Sequence, residues 1–297
     1  MRKKRSERAS LYSQVTSRII AELEEGRLPW VQPWDSAACG CTMPQNAGTE
    51  RSYSGINVLI LWAEVVAKGY ASQQWLTYRQ AEAAGGNVRR GEKGTVICYA
   101  DRFTPKAEYE QAQSEDREAR QVAFLKRFVV FNVEQCEGLP EALAVPMASP
   151  DPRHAIAGAD ALIAASGARF NIGGAEAFYS PSHDFVQVPP QAAFHEPINW
   201  YRTALHELGH WTGHGSRLDR DQKGGFGSEA YAKEELVAEM ASAFTCASLG
   251  IAPTVRHADY IGSWLSVLRN DEKAIFRAAS QASKASDYLM TFARGEQ

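Results

Sequence analysis

Apolar positions first recur at helical spacing over residues 10–25, where Leu11, Val15, Ile19, Ile20 and Leu23 share a face and Gly26 ends the run. Trp62, in the run 59–66 that is apolar but for Glu64, is expected in the core. Residues 85–94 read as a helix exit and tight hairpin leading into a strand over 95–99. Residues 104–121 are polar and charge-rich, an exposed loop or helical excursion. Residues 122–133 return as an apolar strand pattern broken by Lys126 and Arg127.

Four prolines at 140, 146, 150 and 152 then crowd one stretch, the expected linker. Beyond it, residues 155–166 predict a helix stopped by Gly167. Residues 177–179 and 184–188 predict short strands, the second ended by Pro189 and Pro190. A helix over 200–211 has Pro197 and Asn199 at its start and Gly213 and Gly215 after its end. An acidic helix ending at Gly250 and two amphipathic helices near 259–268 and 271–292 complete the pattern. The class is α+β. At 297 residues and 44% hydrophobic, two domains are expected: 1–136, a linker over 137–152, and 153–297.

Charge is divided unevenly. Residues 1–130 carry 19 Lys/Arg against 15 Asp/Glu, and residues 131–297 carry 13 against 20, so the front half is the better partner for a polyanion. Five cysteines without a Cys-x-x-Cys pair suit a reducing, cytoplasmic setting. The basic arm from Arg2 to Arg8 runs into an amphipathic helix, which excludes a signal peptide and gives no membrane partner.

The chemistry concentrates in His206-Glu207-Leu208-Gly209-His210. On a helix, residues four apart share a face, so both imidazoles can point at one ion. Glu207 sits about 100° round the helix, placed to take a proton from water acidified by the metal. Such a zinc site needs a third protein ligand. His214 is near, but the longer metzincin pattern places its third histidine at 216, which is Ser216, so that register fails. Glu234, Glu235 and Glu239 are the remaining candidates. Zn2+ is the expected cofactor, with another divalent cation such as Mn2+ able to use the same donors. Arg217, Asp219 and Arg220 are candidate pocket charges and Tyr231 a candidate hydroxyl donor, while His183 and His195 are expected to be structural or exposed.

The acidic run 233–240 resembles the second helix of the gluzincin class. That resemblance implies Glu235 as the metal ligand and Glu239 as the carboxylate that orients a ligand histidine. The strand over 184–188 resembles the zincin edge strand, on which a bound peptide pairs by strand addition.

Single-strand binders combine cations with aromatic platforms. The front half interleaves Trp30, Trp34, Tyr53, Trp62, Trp75, Tyr78 and Tyr99 with basic residues. Trp34, Tyr53, Arg51, Arg79, Arg89, Arg90 and Lys93 are the candidate DNA contacts. Residues 85–94 are the best phosphate-binding segment, since glycines allow close backbone approach. They are not a Walker loop, because Glu92 follows Gly91 where a lysine must stand.

Several motifs together carry a wider resemblance. Gly26-Arg27-Leu28-Pro29-Trp30, Tyr53-Ser54-Gly55-Ile56-Asn57, Trp75-Leu76-Thr77-Tyr78, Gly91-Glu92-Lys93-Gly94-Thr95 and Val130-Phe131-Asn132-Val133-Glu134-Gln135 resemble the amino-terminal domain of the ArdC antirestriction family. The match resumes through the histidine motif, Ser216-Arg217-Leu218 and residues 235–239. The relatives of this plasmid-borne family include the amino-terminal part of TraC-type conjugative primases. The resemblance implies an amino-terminal α/β single-stranded-DNA-binding domain and a carboxy-terminal zincin-like metallopeptidase domain of gluzincin type. It implies a role in protecting incoming conjugative DNA, with single-stranded DNA and a host restriction-system protein as partners. The rival expectation is a non-catalytic DNA-coating protein whose zincin domain is structural or binds a partner.

Overall fold

A computed structural model describes residues 10–31, 42–144, 152–225, 227–253 and 260–295. The basic arm, Trp34, Cys39, Cys41 and half of the expected linker lie outside the described residues. Helix α1 (Leu11–Glu24) begins where the Ser10 hydroxyl accepts a hydrogen bond from the Ser13 amide. There follow β1 (Gln45–Asn46), α2 (Ile56–Lys68), β2 (Gln74–Leu76) and α3 (Tyr78–Ala83), the last opened by a reciprocal Thr77–Gln80 cap. Next come β3 (Asn87–Val88), β4 (Thr95–Phe103), α4 (Lys106–Ser114), β5 (Val122–Asn132), β6 (Cys136–Glu137) and α5 (Glu141–Ala144). The sheet order is β1-β2-β5-β4, with β4 and β5 a long antiparallel hairpin spanned by α4, and β3 and β6 form a separate ribbon.

The second half opens with α6 (Pro152–Ala165) and three strands, β7 (Phe170–Ile172), β8 (Phe178–Ser180) and β9 (Phe185–Val188). It continues with α7 (Pro197–Trp211), α8 (Glu229–Ser248), α9 (Ile261–Asn270) and α10 (Ala274–Arg294). The small sheet runs β7-β9-β8, with β9 in the middle. This corrects the expectation that residues 184–188 form the edge. β7 had no sequence signal, because its three residues are only partly buried or exposed and show no alternation; it captures one side of β9 in parallel register. The edge strand near the histidine helix is β8.

Helix α8 is the spine. Nearly every side chain from Glu234 to Ala247 is buried, so it lacks the one-sided apolar stripe of a surface helix. Leu236, Met240 and Phe244 enter a core that also holds Leu23, Trp30, Trp62, Trp264 and Ile275. Cys246 enters a second core beneath the small sheet, with Leu162, Val186, Leu205 and Leu208. The first core joins the two sequence halves. Trp62 of α2 meets Phe244 edge-to-face at 5.7 Å, and Trp30 meets Trp264 of α9 at 5.3 Å. The Gly55 amide donates to the Ser283 hydroxyl of α10 at 2.7 Å, and the Thr16 hydroxyl donates to the Glu272 carbonyl at 2.7 Å.

Because the halves share this core, they are expected to unfold together. Phe244→Ala should cost about 3–5 kcal/mol and move a single calorimetric transition downward; two separated transitions would refute the joint core.

Candidate metal centre

The histidine helix begins at Pro197, where a missing N–H and a preset φ are tolerated. Its Gly209 faces α8 so closely that an added Cβ would lie 3.3 Å from the Ala238 carbonyl oxygen and 3.4 Å from the Ala238 Cα. This close approach lets buried side chains of the two helices meet. One ligand atom from each of His206, His210 and Glu235 lies within 4.8 Å of the others.

The imidazoles are oriented from behind. Nε2 of His206 and Nε2 of His210 face the two Glu235 oxygens at 3.6 and 3.4 Å. Nδ1 of His210 lies 3.2 Å from Glu234 Oε1, and Nδ1 of His206 lies 3.8 Å from Glu239 Oε1. Glu239 thus stands behind a histidine, while Glu234 does so at hydrogen-bond distance. Two imidazole nitrogens turned inward, one carboxylate, and acids behind each ring make a donor set suited to a divalent cation of zinc-like character.

Glu234 is itself held. The Arg220 guanidinium, 5% exposed, donates to Glu234 Oε1 at 2.7 Å and Oε2 at 3.0 Å. It also donates to the Gly209 carbonyl and the Thr212 hydroxyl, both at 2.7 Å. The Gln222 amide bridges the His210 carbonyl and Glu234. With both oxygens engaged, Glu234 acts as a clamp on His210. Arg217 serves elsewhere, over the Trp211 ring at 3.9 Å and bonded to Asp184 and the Tyr179 hydroxyl. Asp219, His183 and His195 lie outside this cluster. Glu207 is buried and lines a cleft of about 330 Å3 with both histidines, Glu235, Tyr231, Tyr260 and residues 177–179. The hydroxyls of Tyr231 and Tyr260 are 3.3 Å apart.

Burial alone would push the His210 imidazolium down, but the Glu234 and Glu235 carboxylates reverse this and raise its pKa to about 10. Burial works against the Glu235 carboxylate too, yet hydrogen bonds from His206 and His210 hold its pKa well below the usual range. The cluster therefore favours positive charge at its centre.

This geometry sits in a chain whose two halves each match a known family. Residues 9–131 match the N-terminal domain of anti-restriction factor ArdC, and residues 157–281 match the zincin-like metallopeptidases. The metal-free crystal structure of antirestriction ArdC from plasmid R388 has TM-score 0.81 and 40% identity, over 97% of this chain and 100% of that one. The chain belongs to the ArdC antirestriction family.

The Mn(II)-bound R388 ArdC structure matches at TM-score 0.79 and 38% identity, over 97% of this chain. An uncharacterised protein of Sinorhizobium fredii, y4eC, is 40% identical, covering 94% of this chain and 91% of its own length. DNA primase TraC of Escherichia coli is 41% identical over 95% of this chain, which spans only 27% of the primase.

In the half that matches the ArdC amino-terminal domain, the expected DNA contacts scatter. Trp30, Trp62 and Trp75 are fully buried core residues. Tyr53 is half-buried, packs against the first core and accepts from the Asn46 amide. Arg51, Arg79, Arg90 and Lys93 are exposed, and Arg89 is tied to Glu92 and the Glu134 carbonyl. Gly86 and Gly94 are explained by packing. An added Cβ at Gly86 would lie 2.7 Å from the Glu137 carbonyl oxygen, and one at Gly94 would strike Val129.

Two outcomes follow from the cluster. The raised His210 pKa means that a proton bound at neutral pH must leave when a cation takes its nitrogen. Cation affinity should rise with pH, by up to about tenfold per unit below about 10 and flattening above it, and calorimetry in buffers of different ionisation enthalpy should record proton release. The imidazolium's contribution to the metal-free fold has the opposite sign, being full below the ordinary imidazole value near 6.5 and lost as pH passes about 10. Glu234→Gln should weaken cation binding about 10- to 100-fold, read as metal retained against a graded chelator.

Proposed function

We propose that this chain protects incoming conjugative DNA in the recipient cytoplasm, its amino-terminal half binding single-stranded DNA and its zincin-like half acting as a metallopeptidase. The observation that carries the peptidase reading is the convergence of His206, His210 and Glu235 beside Glu207, in a cleft bordered by β8. A divalent cation held by those three residues, zinc in the first instance and manganese in the second, would supply Lewis acidity, acidifying water and polarising a carbonyl.

The chain's own residues do the rest. The Glu207 carboxylate accepts a proton from the attacking water and delivers it to the leaving amine. Tyr231, one turn before Glu235 on α8, points its hydroxyl into the same cleft, and burial, the neighbouring Tyr260 and the Glu235 charge keep it protonated as a hydrogen-bond donor. The outer edge of β8 has no partner strand among the described residues, so an extended peptide can pair along it. A second cavity of about 300 Å3 shares Ala177, His206 and Glu207 with the cleft and is also lined by Ala175, Phe194 and Thr203, with room for an apolar side chain. A host restriction component is the proposed substrate. No helix of the described residues is long and apolar enough to cross a membrane.

The shared first core favours a second reading. A zincin-like half that supplies Phe244, Trp264 and Ile275 to its neighbour's core can be retained as scaffold for a DNA-coating protein without any hydrolysis.

Glu207→Gln separates the two readings because it removes the base without adding bulk. If hydrolysis matters, the variant keeps its metal and oligonucleotide affinity but loses protection of transferred DNA against a recipient restriction enzyme. Undiminished protection would leave the coating mechanism alone standing.

A further inference from the structure

The β4–β5 hairpin carries a surface that the sequence did not single out. Its register pairs Val96 with Val129, Ile97 with Phe128, Cys98 with Arg127 and Tyr99 with Lys126. Paired residues project to the same side, and successive residues alternate. One face therefore presents Ile97, Tyr99, Lys126 and Phe128, and the other Val96, Cys98, Arg127 and Val129. Ile97 and Cys98 are buried at the root, whereas Tyr99 is 50% exposed, Phe128 44%, Val96 40% and Val129 46%. The Tyr99 and Phe128 rings meet edge-to-face with centroids 5.8 Å apart. Two aromatic rings left half in water on one sheet face carry an apolar cost that a partner would relieve.

The surroundings identify the partner's chemistry. Lys126 lies directly across from Tyr99 and is exposed. Arg127 projects to the opposite face, where its guanidinium donates to the Gln14 amide oxygen at 3.1 Å. A protein strand adding to the β4 edge is disfavoured, because the Asn57 side chain already occupies it. Its amide donates to the Cys98 carbonyl at 2.7 Å and its oxygen accepts from the Cys98 amide at 2.8 Å. The face itself offers side-chain surface, rings with a cation beside them, the combination that takes unpaired bases and their phosphates.

Resting on the single-stranded-DNA reading above, we propose that the outer part of this hairpin is a base-stacking platform, with Tyr99 and Phe128 taking bases and Lys126, on the same face, neutralising an adjoining phosphate. Stacking on a ring is tolerant of base identity, so the platform suits a protein that must cover DNA of any sequence. The expected contacts in residues 79–93 reach the DNA, on this proposal, only as a cationic approach to the strand.

The test is fluorescence anisotropy of a labelled 20-residue oligothymidylate with the full chain over a salt series. Tyr99→Ser with Phe128→Ser should weaken binding by at least about fivefold for each ring lost, while Tyr99→Phe and Phe128→Tyr, which keep the rings, should bind as the parent does. Lys126→Gln should flatten the slope of log affinity against log salt by about 0.7. Binding by the double serine variant within twofold of the parent would overturn the platform and leave the DNA-binding reading intact. Failure of the parent to bind at all would remove that reading and the platform with it. Should the serine variant not fold, 5-iodouracil photocrosslinking of the parent decides: adducts on Tyr99 or Phe128 support the proposal, and adducts confined to other residues overturn it. A parent dimer that the serine variant dissolves, with DNA binding unchanged, would reassign the face to self-association.

Discussion

Burying four carboxylates between two helices is the constraint on which the rest of this molecule depends. Glu207, Glu234, Glu235 and Glu239 are all nearly inaccessible to water, and an isolated buried carboxylate costs several kcal/mol. The arrangement persists because three of these acids are given partners: Arg220 holds Glu234, and His206 and His210 face Glu235 and back onto Glu239 and Glu234. His206, His210 and Glu235 would together hold a divalent cation, which would offset the buried negative charge.

The close contact of Gly209 with Ala238 makes that arrangement possible, and it ties the site to the whole fold. Glu235 reaches the histidines only if α8 is pressed against α7. The pressure comes from both cores, through Leu236, Met240 and Phe244 toward the amino-terminal half and through Cys246 toward the small sheet. The half that matches the ArdC amino-terminal domain therefore buttresses the helix that carries the candidate ligand.

Strand order decided how the cleft can be used. Had β9 been the outer strand, as its position before α7 suggested, a peptide would lie beside Phe185–Val188. The parallel addition of β7 closes that side and leaves β8, whose residues already line the cleft, as the border without a partner strand among the described residues. On the amino-terminal half, the β4–β5 register gathered Tyr99, Lys126 and Phe128 from segments nearly thirty residues apart.

Much of the site was legible because it rests on local periodicity. The His-Glu-x-x-His spacing puts two imidazoles on one face of any helix, and the acidic run 233–240 offers three candidate glutamates on the next helix long enough to carry them. Motif order along the chain was enough to suggest the family, and Trp62 in a largely apolar run was expected in the core. Choice among the glutamates, by contrast, depends on the rotation of α8 against α7, which turns Glu235 to the histidines and Glu234 toward Arg220. Arg220, Gln222 and Thr212 join the site from the turns after α7, with no periodicity to mark them. Local spacing fixes which side chains share a face; only close packing and strand order, set by the sum of many distant contacts, fix which faces meet.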